Sequence, residues 1–103
     1  MSVRGSLLSV LIEVDMEKTE ILKMAIAANG ETYQEIIAIE ECSELIQAIT
    51  HKHRGRKHNI AEEIADVEIM LEQLKIINDC ADTVESMKRY KIERLLHRLR
   101  GVI

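Results

Sequence analysis

A chain of 103 residues with no Pro, Trp or Phe and only two Tyr has the size of a single domain and the composition of packed helices. Its apolar residues are mainly Ile, Leu, Met, Ala and Val, which argues against a β-sandwich and predicts an all-α fold. The formal net charge of −4 disfavours nucleic acid as a partner, because phosphate backbones are bound by basic surfaces.

The first 15 residues match no strong pattern. We therefore divide the chain into an N-terminal extension of uncertain structure, residues 1–15, and a helical domain, residues 16–103. A short apolar run from Leu7 to Val14 contains Glu13 and precedes no small-residue cleavage site, so it predicts neither a membrane span nor a signal peptide. A cytoplasmic location is the resulting expectation.

The two cysteines, Cys42 and Cys80, are spaced like neither a zinc site nor a redox pair. Each lies within an apolar pattern. We expect both to be small buried hydrophobic side chains in a reducing compartment.

Start and stop signals divide the rest of the chain into four predicted helices. Their predicted limits are Asp15 to Asn29, Thr32 to Thr50, Asn59 to Asn78 and Asp82 to Gly101. The second helix opens with a capping-box pattern, in which Thr32 and Glu35 would each accept a hydrogen bond from a free backbone N–H group. The basic segment 51–58 separates the second helix from the third. Short connections and the absence of Pro predict an antiparallel four-helix bundle.

Two pairs of carboxylates lie on the second and third predicted helices. Glu41 and Glu44 are three residues apart, as are Glu63 and Asp66, and this spacing places each pair on one helix face with Cβ atoms about 5–6 Å apart. A helical wheel places Glu41 and Glu63 inside the apolar stripes of their helices, with Glu44 and Asp66 at the edges of those stripes. Solvated acidic residues avoid such stripes, so the pattern predicts a cage of four carboxylates between two helices.

An unpaired carboxylate in an apolar interior is so unfavourable that it becomes neutral or acquires a cation. Four carboxylates carry too much charge for one Lys, and oxygen ligands without His or Cys suit Mg²⁺ or Mn²⁺ better than zinc. A di-iron centre requires Glu-x-x-His, which the chain lacks. His51, His53 and His58 have no fourth ligand at a suitable spacing and predict no metal site of their own. Because Mg²⁺ commonly binds beside substrate phosphates, the cage predicts chemistry at phosphate esters or anhydrides.

The spacing of the four acids is also a family pattern. Glu41-x-x-Glu44, a gap of 18 residues and Glu63-x-x-Asp66 resemble the signature of the MazG-like all-α nucleoside triphosphate pyrophosphohydrolases, in their compact single-domain form, over residues 16–100. The resemblance implies that a (d)NTP is hydrolysed to the monophosphate and pyrophosphate. It also implies that the four carboxylates bind Mg²⁺ and that a water held by a carboxylate attacks the α-phosphorus, with Glu41 and Glu44 as catalytic residues.

The fourth predicted helix supplies the phosphate-binding residues that the resemblance implies. Lys91 and Arg94 match the basic residues of the family, whereas Arg89 stands where some members have Asn. Lys88 is an alternative, because it lies in the apolar stripe of its helix. Near the cage, Glu40 is a weaker candidate for orienting the attacking water. The chain has no Trp or Phe to stack a base, so its sequence does not identify the nucleotide.

Other functions remain open from the sequence. A phosphoribosyl-ATP pyrophosphatase or a dUTPase-like relative would use similar metal chemistry, and a non-catalytic helical oligomer would bind nucleic acid through its basic helices. The third predicted helix also carries Ala65, Ile69 and Ile76 opposite its main apolar stripe. A single bundle would leave these residues in water, so we predict a homodimer or homotetramer.

Overall fold

The computed structural model describes the backbone of residues 7–101 and the side chains of residues 17–101. This part of the chain is helical with short connections, and it contains no strand. Its elements are α1 (Leu7–Asn29), α2 (Glu31–His53), α3 (Ile60–Ile77) and α4 (Ala81–Leu99). The all-α prediction is confirmed. Over the same residues, no helix combines the length and the hydropathy that crossing a membrane requires.

The first helix begins earlier than predicted. α1 starts at Leu7, whereas Asp15 was the expected cap. An Asp inside a helix costs less than about 1 kcal/mol relative to Ala, so a cap-forming residue does not force a helix to begin beside it. Residues 7–15 of the predicted extension therefore belong to α1, and residues 1–6 lie outside the described part.

A single glycine joins α1 to α2. Gly30 has a φ of 93°, which glycine adopts without steric cost, and it occupies the N-cap position of α2. Because the turn is complete at Gly30, the helix has already begun when the chain reaches Thr32. The predicted capping box is therefore wrong, and no side chain caps the start of α2.

The remaining helix limits differ from the predictions by a few residues. α2 continues to His53, so the connection to α3 comprises residues 54–59 and is shorter than the predicted basic segment. Asn59 occupies the N-cap position of α3, as predicted. α4 begins at Ala81, and Asp82 lies in its first turn, where the helix dipole favours a negative charge.

The contact between α2 and α3 is the most extensive one between the described helices. Ala38 and Ala48 of α2 are buried there, together with Val67 and Met70 of α3. The small alanine side chains allow the two helices to approach closely. α1 packs on both helices and adds Leu22 to the core, whereas α4 contacts α3 alone and has no buried residue. The best-packed part of the chain is therefore the contact that carries the acidic pairs.

A row of apolar side chains on α2 remains exposed. Ile39, Cys42, Ile46 and Ile49 lie on one face of the helix, and none is covered by another described element. The prediction of buried cysteines is therefore wrong for Cys42, and Cys80 is only half-buried. The apolar pattern around Cys42 is present, but the surface that would cover it is not part of the described chain.

Candidate metal centre

The contact between α2 and α3 brings carboxylates together. Glu41 of α2 and Glu63 and Asp66 of α3 each place one carboxylate oxygen within 4.8 Å of the others. Glu63 is buried, with 7% of its surface exposed, and the other two residues are half-buried. Three of the four predicted metal ligands thus form one group, which we call the carboxylate cluster.

Glu44, the fourth predicted ligand, is exposed at the edge of this cluster. Together with Glu63, His51 and Asn59 it lines a small cleft of about 240 Å³. Its carboxyl lies close enough to that of Glu63 for a hydrogen bond when one of them is protonated. Glu44 therefore borders the cluster on its solvent side.

Two carboxylate oxygens of the cluster are buried without a hydrogen-bond partner. They are Oε2 of Glu41 and Oε2 of Glu63. The other oxygen of Glu63, Oε1, accepts a hydrogen bond of 3.3 Å from Nδ2 of Asn59. Buried polar atoms are almost always paired in folded proteins, so two unpaired oxygens facing one cluster are an anomaly that requires an explanation.

No basic side chain of the described chain neutralises the cluster. Within residues 17–101, the ion pairs join Glu20 to Lys23, Glu72 to Lys75 and Glu85 to Lys88. Each pair joins residues three positions apart within its own helix. The negative charge of the carboxylate cluster is therefore left to solvent, to protons or to a bound cation.

The environment of the cluster disfavours its ionised form. Burial raises the pKa of the Glu41 carboxyl above its ordinary value of 4.5, and the negative charges of Glu44, Asp66 and Glu63 raise it further. Burial is also the largest cause of the raised pKa of Glu63, followed by the charges of Glu44 and Asp66. A divalent cation would counteract both causes, because it favours the ionised carboxylates.

We expect the metal-free protein to lose stability as the pH rises above 4.5. The folded chain raises the pKa of Glu41 and of Glu63 above 4.5, the value expected in the unfolded chain. Between the unfolded and folded values, the folded state binds more protons, so the free energy of unfolding falls with increasing pH. Thermal unfolding in EDTA between pH 4.5 and 8 measures this slope. A Glu41→Gln/Glu63→Gln variant should show a shallower slope, and an unchanged slope would contradict the assignment.

The two acids that precede the cluster residues are solvated. Glu40 is exposed on α2, where its backbone carbonyl accepts a hydrogen bond of 2.7 Å from Oγ of Ser43. Glu62 is exposed on α3, and its Oε1 accepts a 3.4 Å hydrogen bond from Asn59. Glu40 therefore remains a weaker candidate for a catalytic role, outside the cluster.

The predicted phosphate-binding residues lie on α4 and are exposed. The guanidinium of Arg94 lies over the ring of Tyr90, 5.8 Å from its centroid, and Lys88 forms a 3.4 Å ion pair with Glu85. No described contact brings Lys88, Lys91 or Arg94 to the carboxylate cluster. Their role in phosphate binding stays a prediction.

A buried amide pair in the same helix contact was missed by the sequence interpretation. Gln34 of α2 and Gln73 of α3 are 5% and 4% exposed and share a hydrogen bond of 2.6 Å, from Nε2 of Gln34 to Oε1 of Gln73. A signal was present, because Gln34 precedes Glu41 by seven residues and Gln73 follows Asp66 by seven. Seven residues are nearly two helical turns, so each amide shares a helix face with a carboxylate.

Comparison with models of known protein families, with curated proteins and with solved structures found no match to this chain. The resemblance to the MazG-like enzymes therefore rests on the spacing of the four acids.

Proposed function

We propose that the chain is a Mg²⁺-dependent nucleoside triphosphate pyrophosphohydrolase, which converts a (d)NTP and water to a (d)NMP and pyrophosphate. One observation carries the proposal: Oε2 of Glu41 and Oε2 of Glu63 are buried without partners in a cluster that no described basic side chain neutralises. Carboxylates buried in this way call for a cation. The type of reaction is taken from the MazG-like enzymes, whose signature the spacing of the four acids resembles.

The donor atoms of the cluster fit Mg²⁺ or Mn²⁺. Glu41, Glu63 and Asp66 would hold the ion, and Glu44 would complete the set from the solvent side. All the donors are carboxylate oxygens, which Mg²⁺ prefers, and the cluster includes no thiol or imidazole that would favour zinc. When bound, Mg²⁺ supplies charge neutralisation for a triphosphate and lowers the pKa of a bound water.

Glu44 is the residue of the set that solvent reaches most easily. We assign it the orientation of the attacking water and the acceptance of its proton, with Glu41 as the second catalytic carboxylate. The water oxygen forms a bond to the α-phosphorus, and the bond between that phosphorus and the bridging oxygen of the β-phosphate breaks. Pyrophosphate leaves with the electrons of the broken bond. Glu40 is the alternative residue for orienting the water.

The cluster supports an antiparallel arrangement of α2 and α3. The Glu41 carboxyl lies beside that of Asp66, and the Glu44 carboxyl lies beside that of Glu63. A residue later in the sequence of α2 therefore meets a residue earlier in the sequence of α3. This order is the one that the predicted antiparallel bundle requires, and it turns two i,i+3 pairs toward each other.

We assign phosphate binding to the basic helix α4. Lys91 and Arg94 would donate to the phosphate oxygens of the substrate, and Lys88 is the alternative donor. Ionised donors form the strongest hydrogen bonds to phosphate, and all three side chains are exposed.

Pyrophosphate release from a panel of dNTPs, NTPs and phosphoribosyl-ATP, with Mg²⁺ and with EDTA, tests the proposed activity. We expect release with Mg²⁺ and none with EDTA. Preference for dUTP or phosphoribosyl-ATP would indicate the corresponding relative. If no nucleotide is hydrolysed and the chain binds nucleic acid with steep salt dependence, the non-catalytic interpretation is favoured instead.

We also infer a homodimer or homotetramer from the exposed apolar surface. α4 has no buried residue, and its Ile92 and Leu99 are 63% and 77% exposed. The Cα radius of gyration is 18.0 Å, whereas a compact chain of this length has about 13 Å. Together with the exposed row on α2, these features fit a chain whose core is completed by further copies.

Light scattering at micromolar concentration should give at least twice the mass of one chain. We expect Ile46→Asp to shift the protein toward the monomer, because it places a charge in the exposed apolar row of α2. Thr19→Asp, at an exposed polar position of α1, is the matched control and should leave the mass unchanged. A monomeric mass for the unsubstituted chain would contradict the inference.

A further inference from the structure

Gln34 and Gln73 are the most deeply buried polar side chains among the described residues. Besides their mutual 2.6 Å hydrogen bond, Oε1 of Gln34 accepts a 3.0 Å bond from Nδ2 of Asn29, and Nε2 of Gln73 lies 3.7 Å from the sulfur of Met70. The amide pair is thus bonded from both sides. The proposed reaction assigns it no chemical task.

The amide pair and the acids belong to one series of cross-helix pairs. Gln34 meets Gln73, Glu41 lies beside Asp66, and Glu44 lies beside Glu63. The sequence numbers in each pair add to 107, because every step up α2 matches an equal step down α3. One register of α2 against α3 therefore forms all three pairs at once.

The rest of this contact specifies the register weakly. Its buried members include Ala38 and Ala48, which are small and apolar and fit against many partners. A slip of four residues, about one turn, would place Glu41 opposite Glu62 or Met70 in place of Asp66. The acids themselves oppose the observed register, since ionised carboxylates repel one another at this separation. A feature that favours this register over its neighbours is therefore needed.

We propose that the hydrogen bond between Gln34 and Gln73 fixes the register of α2 against α3, so that both residues are positioning residues for the carboxylate cluster. In any register shifted by one turn, each amide would be buried against an apolar side chain or drawn into solvent, and its partner would lose its hydrogen bond. Buried polar pairs select one helix register in this way in coiled coils. The effect on metal affinity rests on the proposed function, whereas the effect on the helix register does not.

The test uses a Gln34→Leu/Gln73→Leu double variant, because either single substitution would leave one buried amide unpaired and lower stability for that reason alone. Register is read by pulsed EPR distances between spin labels at Glu35→Cys of α2 and Glu62→Cys of α3, both exposed positions. The labelled chain carries Cys42→Ala and Cys80→Ala and is diluted with unlabelled protein, so that distances between copies do not contribute. Mn²⁺ affinity is measured on the same proteins without labels.

With Gln34 and Gln73 present we expect one distance. In the double variant we expect an added population displaced by about 6 Å along the helix axis, one turn, and a loss of Mn²⁺ affinity of at least about 10-fold without a fall in thermal stability. Gln34→Glu keeps the oxygen that accepts from Asn29, and its second oxygen accepts from Nε2 of Gln73 once the Gln73 amide turns over, so this variant should retain the single distance. A single unchanged distance in the double variant overturns the inference. If the register shifts but the unsubstituted chain binds no Mn²⁺, the inference stands and the proposed function fails.

Discussion

The Glu63→Gln variant is expected to lose pyrophosphate release by at least about 100-fold and yet to unfold at a higher temperature than the unsubstituted protein in EDTA. Gln is nearly isosteric with Glu, and its carbonyl can still accept the hydrogen bond from Asn59. It cannot supply a second anionic oxygen to a metal. It also removes a buried charge that the neighbouring acids repel. Activity and metal-free stability should therefore change in opposite directions.

Glu62→Gln is the matched control for this experiment. Glu62 precedes Glu63 on the same helix, but it is exposed and lies outside the cluster. The control should leave both pyrophosphate release and the unfolding temperature nearly unchanged. If Glu63→Gln keeps full activity, the carboxylate cluster is not the metal centre of the reaction. If it loses activity and stability together, Glu63 acts through the fold instead.

Sequence periodicity was sufficient to single out the acids of the cluster. Glu41 and Glu63 fall in apolar stripes, and a helical wheel requires only the sequence and the helical repeat. The structure places Glu63 among the buried residues and brings it to Glu41 and Asp66. The wheel could not show that Glu44 stays exposed, because the burial of a side chain at the edge of an apolar stripe depends on how closely the facing helix packs.

Features that depend on a distant partner were not predictable in the same way. Gln34 and Gln73 are 39 residues apart, and their spacing from Glu41 and Asp66 places each on the face of an acid without showing that the two amides meet. The burial expected for Cys42 was wrong for a related reason: its apolar neighbours are present, but no other described element covers them. The helix starts predicted at Asp15 and Thr32 were wrong. Cap preferences are worth only about 1 kcal/mol, and a longer apolar helix or a glycine turn outweighs them.

The carboxylate cluster lowers the stability of the metal-free protein. Asn59 bonds one oxygen of Glu63, but Oε2 of Glu41 and Oε2 of Glu63 remain unpaired. Replacing such acids by apolar side chains often stabilises a helix contact, so stability alone does not explain their presence. The cation proposed above would offset the cost of burying these acids, because it would bind the folded chain and not the unfolded one.

Adding Mg²⁺ or Mn²⁺ at neutral pH is expected to raise the unfolding temperature of the protein. An ion present at 100 times its Kd stabilises the folded state by about 2.7 kcal/mol, which corresponds to about 10 °C or more for a domain of this size. The increase should be larger at pH 8 than at pH 5, because the ion must displace protons from Glu41 and Glu63, whose pKa values are raised. NaCl at equal ionic strength controls for screening, and Glu63→Gln should lose most of the increase. An increase of equal size with NaCl, or in the variant, would show that the divalent ion acts on the general charge of the protein; a shift confined to the intact cluster is what a metal held by these carboxylates requires.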